Sequence, residues 1–227
     1  MTLNNDDAQM TVHFTAELEE ITQRLSREFA SSLDPATVSE FVQASYSTFA
    51  AKAKVPTFLP LLTERFTRQR LEALSKVEGG GTGTPTVLFL CVHNAGRSQM
   101  ALGFLHHHGA GRVIGWSGGS APGDRVNPGA VAAMAEKGID ISGEYPKPWT
   151  AEIVRAADVV ITMGCGDTCP YYPGKRYEDW VLDDPAGQGI EPIRAIRDEI
   201  ESRVLSLLAS LDVDAHEVPP ESATPQP

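Results

Sequence analysis

Apolar positions recur at helical spacing through the first third of the chain. Leu18, Ile21, Leu25 and Phe29 fall on one face of a predicted helix. Asp34-Pro35 supplies a cap and a first-turn proline, and Val38, Phe41, Val42, Ser45, Tyr46 and Phe49 follow at the same spacing. A third helix is predicted over residues 56–76, with Leu62 and Phe66 inward and a less clean apolar face than the other two. Together these suit a three-helix bundle over residues 1–78. Residues 79–85, Gly-Gly-Gly-Thr-Gly-Thr-Pro, read as a flexible linker and a domain boundary.

Beyond the linker the pattern changes. Val87-Leu88-Phe89-Leu90 is a short apolar run of the kind that fills a buried parallel strand. Helix is predicted over 98–108, strand over 113–116, helix from Asn127-Pro128 to about 137, and strand over 158–163. A fourth strand is expected over 176–182. A long helix over 191–211 carries Ile193, Ile196, Ile200, Val204, Leu207 and Leu208 on one side. Strands alternating with helices predict an α/β domain over 86–211, a parallel sheet with helices on both faces. The tail, 212–227, is Pro-rich and acidic and is expected to be disordered.

Charge narrows the range of partners. The chain has 227 residues and a net charge of -11, from 19 Lys+Arg against 30 Asp+Glu. That balance disfavours nucleic acid and anionic membrane, and an anion site must be built locally. Residues 1–78 hold 8 Lys+Arg and 11 Asp+Glu, a net of 8 - 11 = -3, which argues against a duplex-binding bundle. No apolar run is long enough to span a membrane, and the polar, acidic start is unlike a secretory signal, so a cytoplasmic protein is expected. Three cysteines do not make a disulfide framework and point to reactive or buried thiols.

The chemistry concentrates in residues 91–98: Cys91, Val92, His93, Asn94, Ala95, Gly96, Arg97 and Ser98, between the first strand and the helix after it. A loop of this length can turn its backbone N–H groups toward one centre, a nest for a tetrahedral oxyanion. The helix N-terminus beneath adds partial positive charge, which also favours a thiolate at Cys91. Arg97 offers a planar fork for two oxygens, and Ser98 can donate to the sulfur. His93 could contact the anion or shape the loop.

Asp183-Asp184-Pro185-Ala186-Gly187 follows the last strand. A thiolate displacing an oxygen from such an anion needs a proton for the leaving group; Asp184 is the candidate and Asp183 the fallback. A plain Asp-Pro turn is the competing reading. Cys165 and Cys169 follow the third strand, on the rim where parallel sheets gather their sites. On one helical turn their Cα atoms would lie roughly 6 Å apart, within disulfide reach. Two idle thiols remain the alternative, and two ligands are too few for structural zinc. His106, His107 and His108 point to different sides of a helix and do not chelate together, so no metal and no cofactor is expected.

Across residues 86–211 these motifs resemble the arsenate reductases built on the low-molecular-weight tyrosine phosphatase fold. The matching stretches are residues 91–100, Asn127-Pro128, Ile139-Asp140-Ile141-Ser142, the Cys165/Cys169 segment, residues 180–187, and Arg197-Asp198-Glu199-Ile200. The N-terminal helices resemble an extension carried by some actinobacterial members. The resemblance implies that Cys91 attacks arsenate, with phosphate or sulfate as analogues, while Asp184 assists departure of water. It further implies that Cys165 releases arsenite by forming a Cys91–Cys165 disulfide, and that Cys169 then forms Cys165–Cys169, which thioredoxin reduces. Mycothiol with mycoredoxin is the alternative electron source, in which case Cys91 alone is essential. Leu102, Tyr145 and Lys147 stand where the family's monovalent-cation site has a carboxylate and polar groups, so cation binding is not expected. A tyrosine phosphatase is the rival enzyme: it would use Cys91, Arg97 and Asp184 alike, but the family's phosphatases follow Asp-Pro with aromatics where this chain has Ala186-Gly187.

Overall fold

β1 (Thr86–Cys91) is buried along its whole length and forms the centre of the sheet. In the computed structural model, which describes residues 5–51, 56–80, 83–164 and 171–213, it pairs in parallel with β2 (Ile114–Gly119) on one side and β3 (Val159–Met163) on the other. β4 (Arg176–Asp179) adds to β3, giving the all-parallel order β2-β1-β3-β4. A strand flanked on both edges and covered on both faces has no solvated side, which is why its sequence is a continuous apolar run.

Seven helices are described: α1 (Asn5–Glu28), α2 (Pro35–Ala50), α3 (Leu59–Ser75), α4 (Arg97–Gly109), α5 (Pro128–Ala135), α6 (Ala151–Ala156) and α7 (Ile190–Ser210). Asp34 caps α2 through Oδ1, which accepts from the backbone N–H of Ala36 and Thr37 at 2.9 and 3.0 Å. Asn127 caps α5 likewise, accepting from Gly129 N at 2.8 Å. Ala110 closes α4 with a left-handed φ of 46°.

The predicted α/β class is the observed one, with shifts at element ends. A short 3-10 turn, Pro56–Phe58, precedes α3. β2 runs past Trp116 to Gly119, because Ser117, Gly118 and Gly119 continue the ladder beside Phe89, Leu90 and Cys91. β4 stops at Asp179, short of the expected Leu182, and α5 stops at Ala135. The sequence reading missed α6, which is too short to establish a period. Residues 81–82 of the linker and 214–227 of the tail lie outside the described residues.

Three apolar clusters organise the interior. On one face of the sheet Phe89 packs with Met100, Phe104, Met134, Ile200 and Val204 from α4, α5 and α7. On the other, Leu88, Leu90 and Val160 meet Trp116, Ile153 of α6, and Phe66 and Ala73 of α3. The third cluster joins Leu18, Ile21 and Leu25 of α1 and Val38 and Val42 of α2 to Leu71 of α3. Thus α3 belongs both to the helical unit and to the covering of the sheet. Two cations on it and Lys76 just past its end reach across: Arg65 Nη1 donates to Gly143 O (2.7 Å), Arg70 Nε to Glu152 (2.5 Å), and Lys76 Nζ to Asp158 (2.6 Å). No described helix is long and apolar enough to cross a membrane.

Candidate active site

Cys91 ends β1, paired with Gly119 and Met163 on the neighbouring strands, and α4 begins at Arg97. The intervening loop is held from outside by its carbonyls. Cys91 O, Val92 O and His93 O accept from the N–H of Ser120, Ala121 and Gly123 at 3.3, 2.8 and 2.9 Å, and Ala95 O accepts from Asn127 at 2.7 Å. Asn94 O accepts from Gln99 Nε2 at 3.0 Å, and Gly96 O from the first turn of α4. Every carbonyl from Cys91 to Gly96 is thus engaged as an acceptor, and the loop runs into the N-terminus of α4, a place suited to an anion nest. Gly119 permits this closeness: a Cβ there would lie 2.6 Å from Val92 O.

The sulfur sits at the base of the nest, with Cys91 only 2% exposed. Asn94 N donates to Cys91 Sγ at 3.1 Å, and Ser98 Oγ lies 3.0 Å from the same sulfur. Ser98 Oγ also accepts from Asn94 Nδ2 at 2.9 Å, which leaves its own hydrogen free to point at the sulfur.

Arg97, almost wholly buried, bridges toward the last loop: Nη2 donates to Asp184 Oδ2 at 3.1 Å and Nη1 to Leu182 O at 3.3 Å. Asp184 Oδ1 accepts from Ala186 N at 3.0 Å, and its side chain is half exposed. Pro185 seats this loop on the first one, since a Cβ on Gly96 would stand 2.6 Å from Pro185 Cγ. Asn127 Nδ2 donates to Pro185 O at 3.4 Å from the other side. Asp183 is exposed.

The description "Low molecular weight phosphotyrosine protein phosphatase" fits residues 86–217, more than half of the chain. The chain belongs to that family. A second description, "Protein-tyrosine-phosphatase-like, N-terminal domain", fits residues 18–75. Among solved structures, a thioredoxin-dependent arsenate reductase of Corynebacterium glutamicum is 40% identical with a TM-score of 0.78, the match covering 87% of this chain and 97% of that one. A glutaredoxin arsenate reductase of Synechocystis is 41% identical over 128 residues, 55% of this chain and 97% of its own. An arsenate reductase of Bacillus licheniformis is 41% identical over 130 residues, 52% of this chain and 91% of its own.

Within this phosphatase-family fold the structure brings together Cys91, Asn94, Arg97, Ser98 and Asp184. His93 Nδ1 lies 3.1 Å from Ala121 O. Cys165 and Cys169 lie outside the described residues; the preceding Gly164 has a φ of 74° and lies against Arg97. Sequence reasoning missed Gln99, fully buried in α4, whose Nε2 reaches Asn94 and the backbone of Tyr145. The available signal was a polar residue on the inner side of a helix. Lys147, read only as a residue standing in the cation region, is buried with its ammonium 4.6 Å over the Tyr145 ring and 3.5 Å from Ser117 Oγ. Burial pushes that ammonium down to about 8.

Proposed function

We propose that the chain reduces arsenate to arsenite in the cytoplasm, with Cys91 as nucleophile. The observation that carries this reading is the Cys91 sulfur, held by Asn94 N and Ser98 Oγ in a loop whose carbonyls are all engaged as acceptors. The similarity to three named arsenate reductases supports arsenate as the substrate, and the Corynebacterium glutamicum relative supports thioredoxin as the source of electrons.

Arsenate enters the nest, where loop amides and Arg97 take its oxygens. The Cys91 thiolate bonds to arsenic, and one oxygen leaves as water on taking a proton from Asp184. Cys165 then attacks the Cys91 sulfur. The S–As electron pair stays on arsenic, which departs as arsenite, and a Cys91–Cys165 disulfide remains. Attack by Cys169 on Cys165 restores the Cys91 thiolate and leaves Cys165–Cys169. The thioredoxin dithiol reduces that bond, so two thiols are oxidised for each arsenic reduced.

Replacing Cys91 by Ser abolishes arsenite formation on this account. Cys169→Ser leaves about one arsenite per chain and stops thioredoxin-coupled turnover, measured by arsenic speciation over time. Normal cycling of Cys169→Ser with thioredoxin contradicts the relay. Normal cycling of a Cys165→Ser, Cys169→Ser chain with mycothiol and mycoredoxin assigns the electrons to that system instead.

A further inference from the structure

The geometry around the sulfur converges on Asn94. Its φ of 46° is left-handed, a conformation that costs about 1 kcal/mol for a residue with a side chain unless neighbours hold it. That turn aims the Asn94 N–H at Cys91 and the side-chain amide at Ser98. Two groups outside the loop keep it in place. Gln99 Nε2 donates to Asn94 O and Oδ1 at 3.0 and 3.2 Å, and Lys147 N donates to Asn94 Oδ1 at 2.9 Å. Gln99 Nε2 also reaches Tyr145 O at 3.1 Å. Among the described residues no donor meets its buried Oε1.

Residues 143–147 thus form one wall of the loop's support, and the helical unit grips that wall. Arg65 of α3 donates through Nη1 to Gly143 O at 2.7 Å and through Nη2 to Glu144 at 3.2 Å, with its guanidinium 4.8 Å over the Tyr145 ring. Phe49 of α2 meets the same ring edge-on at 5.8 Å. The chain of contacts is unbroken: Arg65 and Phe49 to residues 143–147, these to Asn94 and Gln99, and Asn94 to Cys91 and Ser98.

We infer that residues 143–147 are a strap through which the N-terminal helices set the shape of the Cys91 loop, with Arg65 as its positioning residue. The helical unit is then part of the catalytic apparatus, although none of its residues touches the reacting atoms. This inference rests on Cys91 being the nucleophile, and its deciding measurement, alkylation of Cys91, does not depend on arsenate turnover.

The test uses the full-length chain with Cys165→Ser and Cys169→Ser, leaving Cys91 as its one thiol. Its alkylation by iodoacetamide is followed from pH 5 to 10. Arg65→Ala is expected to slow alkylation at pH 7 by about three- to tenfold and move the rate profile to higher pH. Arg65→Lys keeps the charge and loses the fork, so it should resemble Arg65→Ala. Phe49→Leu should move the profile the same way by less. Arg24→Ala, which breaks an exposed pair with Glu64 inside the helical unit and leaves the strap alone, should leave the profile unmoved. With all three cysteines present, Arg65→Ala should lower kcat for arsenate and leave KM nearly unchanged. The strap is refuted if the Arg65→Ala and Phe49→Leu profiles overlay that of Arg24→Ala, or if Arg65→Lys matches the parent. Alkylation of Cys91 no faster than a free thiol in the parent chain would instead count against the nucleophile itself.

Discussion

The two faces of the sheet are covered in different ways. On the first, α4, α5 and α7 all come from the α/β segment, and their apolar sides meet Phe89 and its neighbours in one cluster. On the second, that segment supplies α6, six residues long, together with Tyr145, Trp149 and Tyr172, and the cover is completed by α3 and by Phe49 of α2, which precede the glycine-rich stretch. The first face is closed by its own segment; the second is closed by that segment and the helical unit together. A linker-like sequence therefore does not by itself mark an independent module. What matters is where the apolar surface on either side of it goes.

The largest effect expected from this asymmetry is on folding. Removing residues 1–80 uncovers the face formed by Leu88, Leu90, Trp116 and Val160. The shortened chain should lose cooperative thermal unfolding and bind a hydrophobic dye, whereas a self-sufficient domain would melt as sharply as the full chain. Next in size is Phe66→Ala, which empties a fully buried position between α3 and the sheet. It should cost about 3–5 kcal/mol by urea unfolding. Loss of the α/β and helical signals in one transition sharpens the comparison; two separate transitions break it.

Lys147 supplies a smaller, pH-dependent test on the second face. Its ammonium is buried and lowered to about 8 against an ordinary 10.5. Between those values the unfolded chain binds more protons than the folded one, so stability should rise as pH climbs from 8 to 10.5. Below pH 8 the full penalty stands, of the order of 3 kcal/mol. Lys147→Met should flatten the alkaline rise and raise the urea midpoint at pH 7. A rise that persists in the variant assigns it to another group.

The same asymmetry explains what could be read from the sequence. The first face was legible above all in α7, which is buried on one side and carries a full period from Ile193 to Leu208. α3 is buried on two sides, Leu71 toward the helical unit and Phe66 and Ala73 toward the sheet, which blurs the 3.6-residue pattern. The Cys91 loop was legible because spacing carries its chemistry: a thiol, a glycine and a guanidinium at fixed places between strand and helix. Its support was not. Arg65 and Lys147 act through a backbone carbonyl and a backbone N–H, and such contacts leave no residue pattern along a chain.

Stoichiometry in a single turnover, with no external reductant, tests the central claim most directly. Fully reduced chain mixed with arsenate should yield about one arsenite per chain together with loss of two thiols, as the two-electron balance requires, and Cys91→Ser should give neither. Arsenite at the same yield from Cys91→Ser, or thiol loss in the intact chain without arsenite, would contradict it.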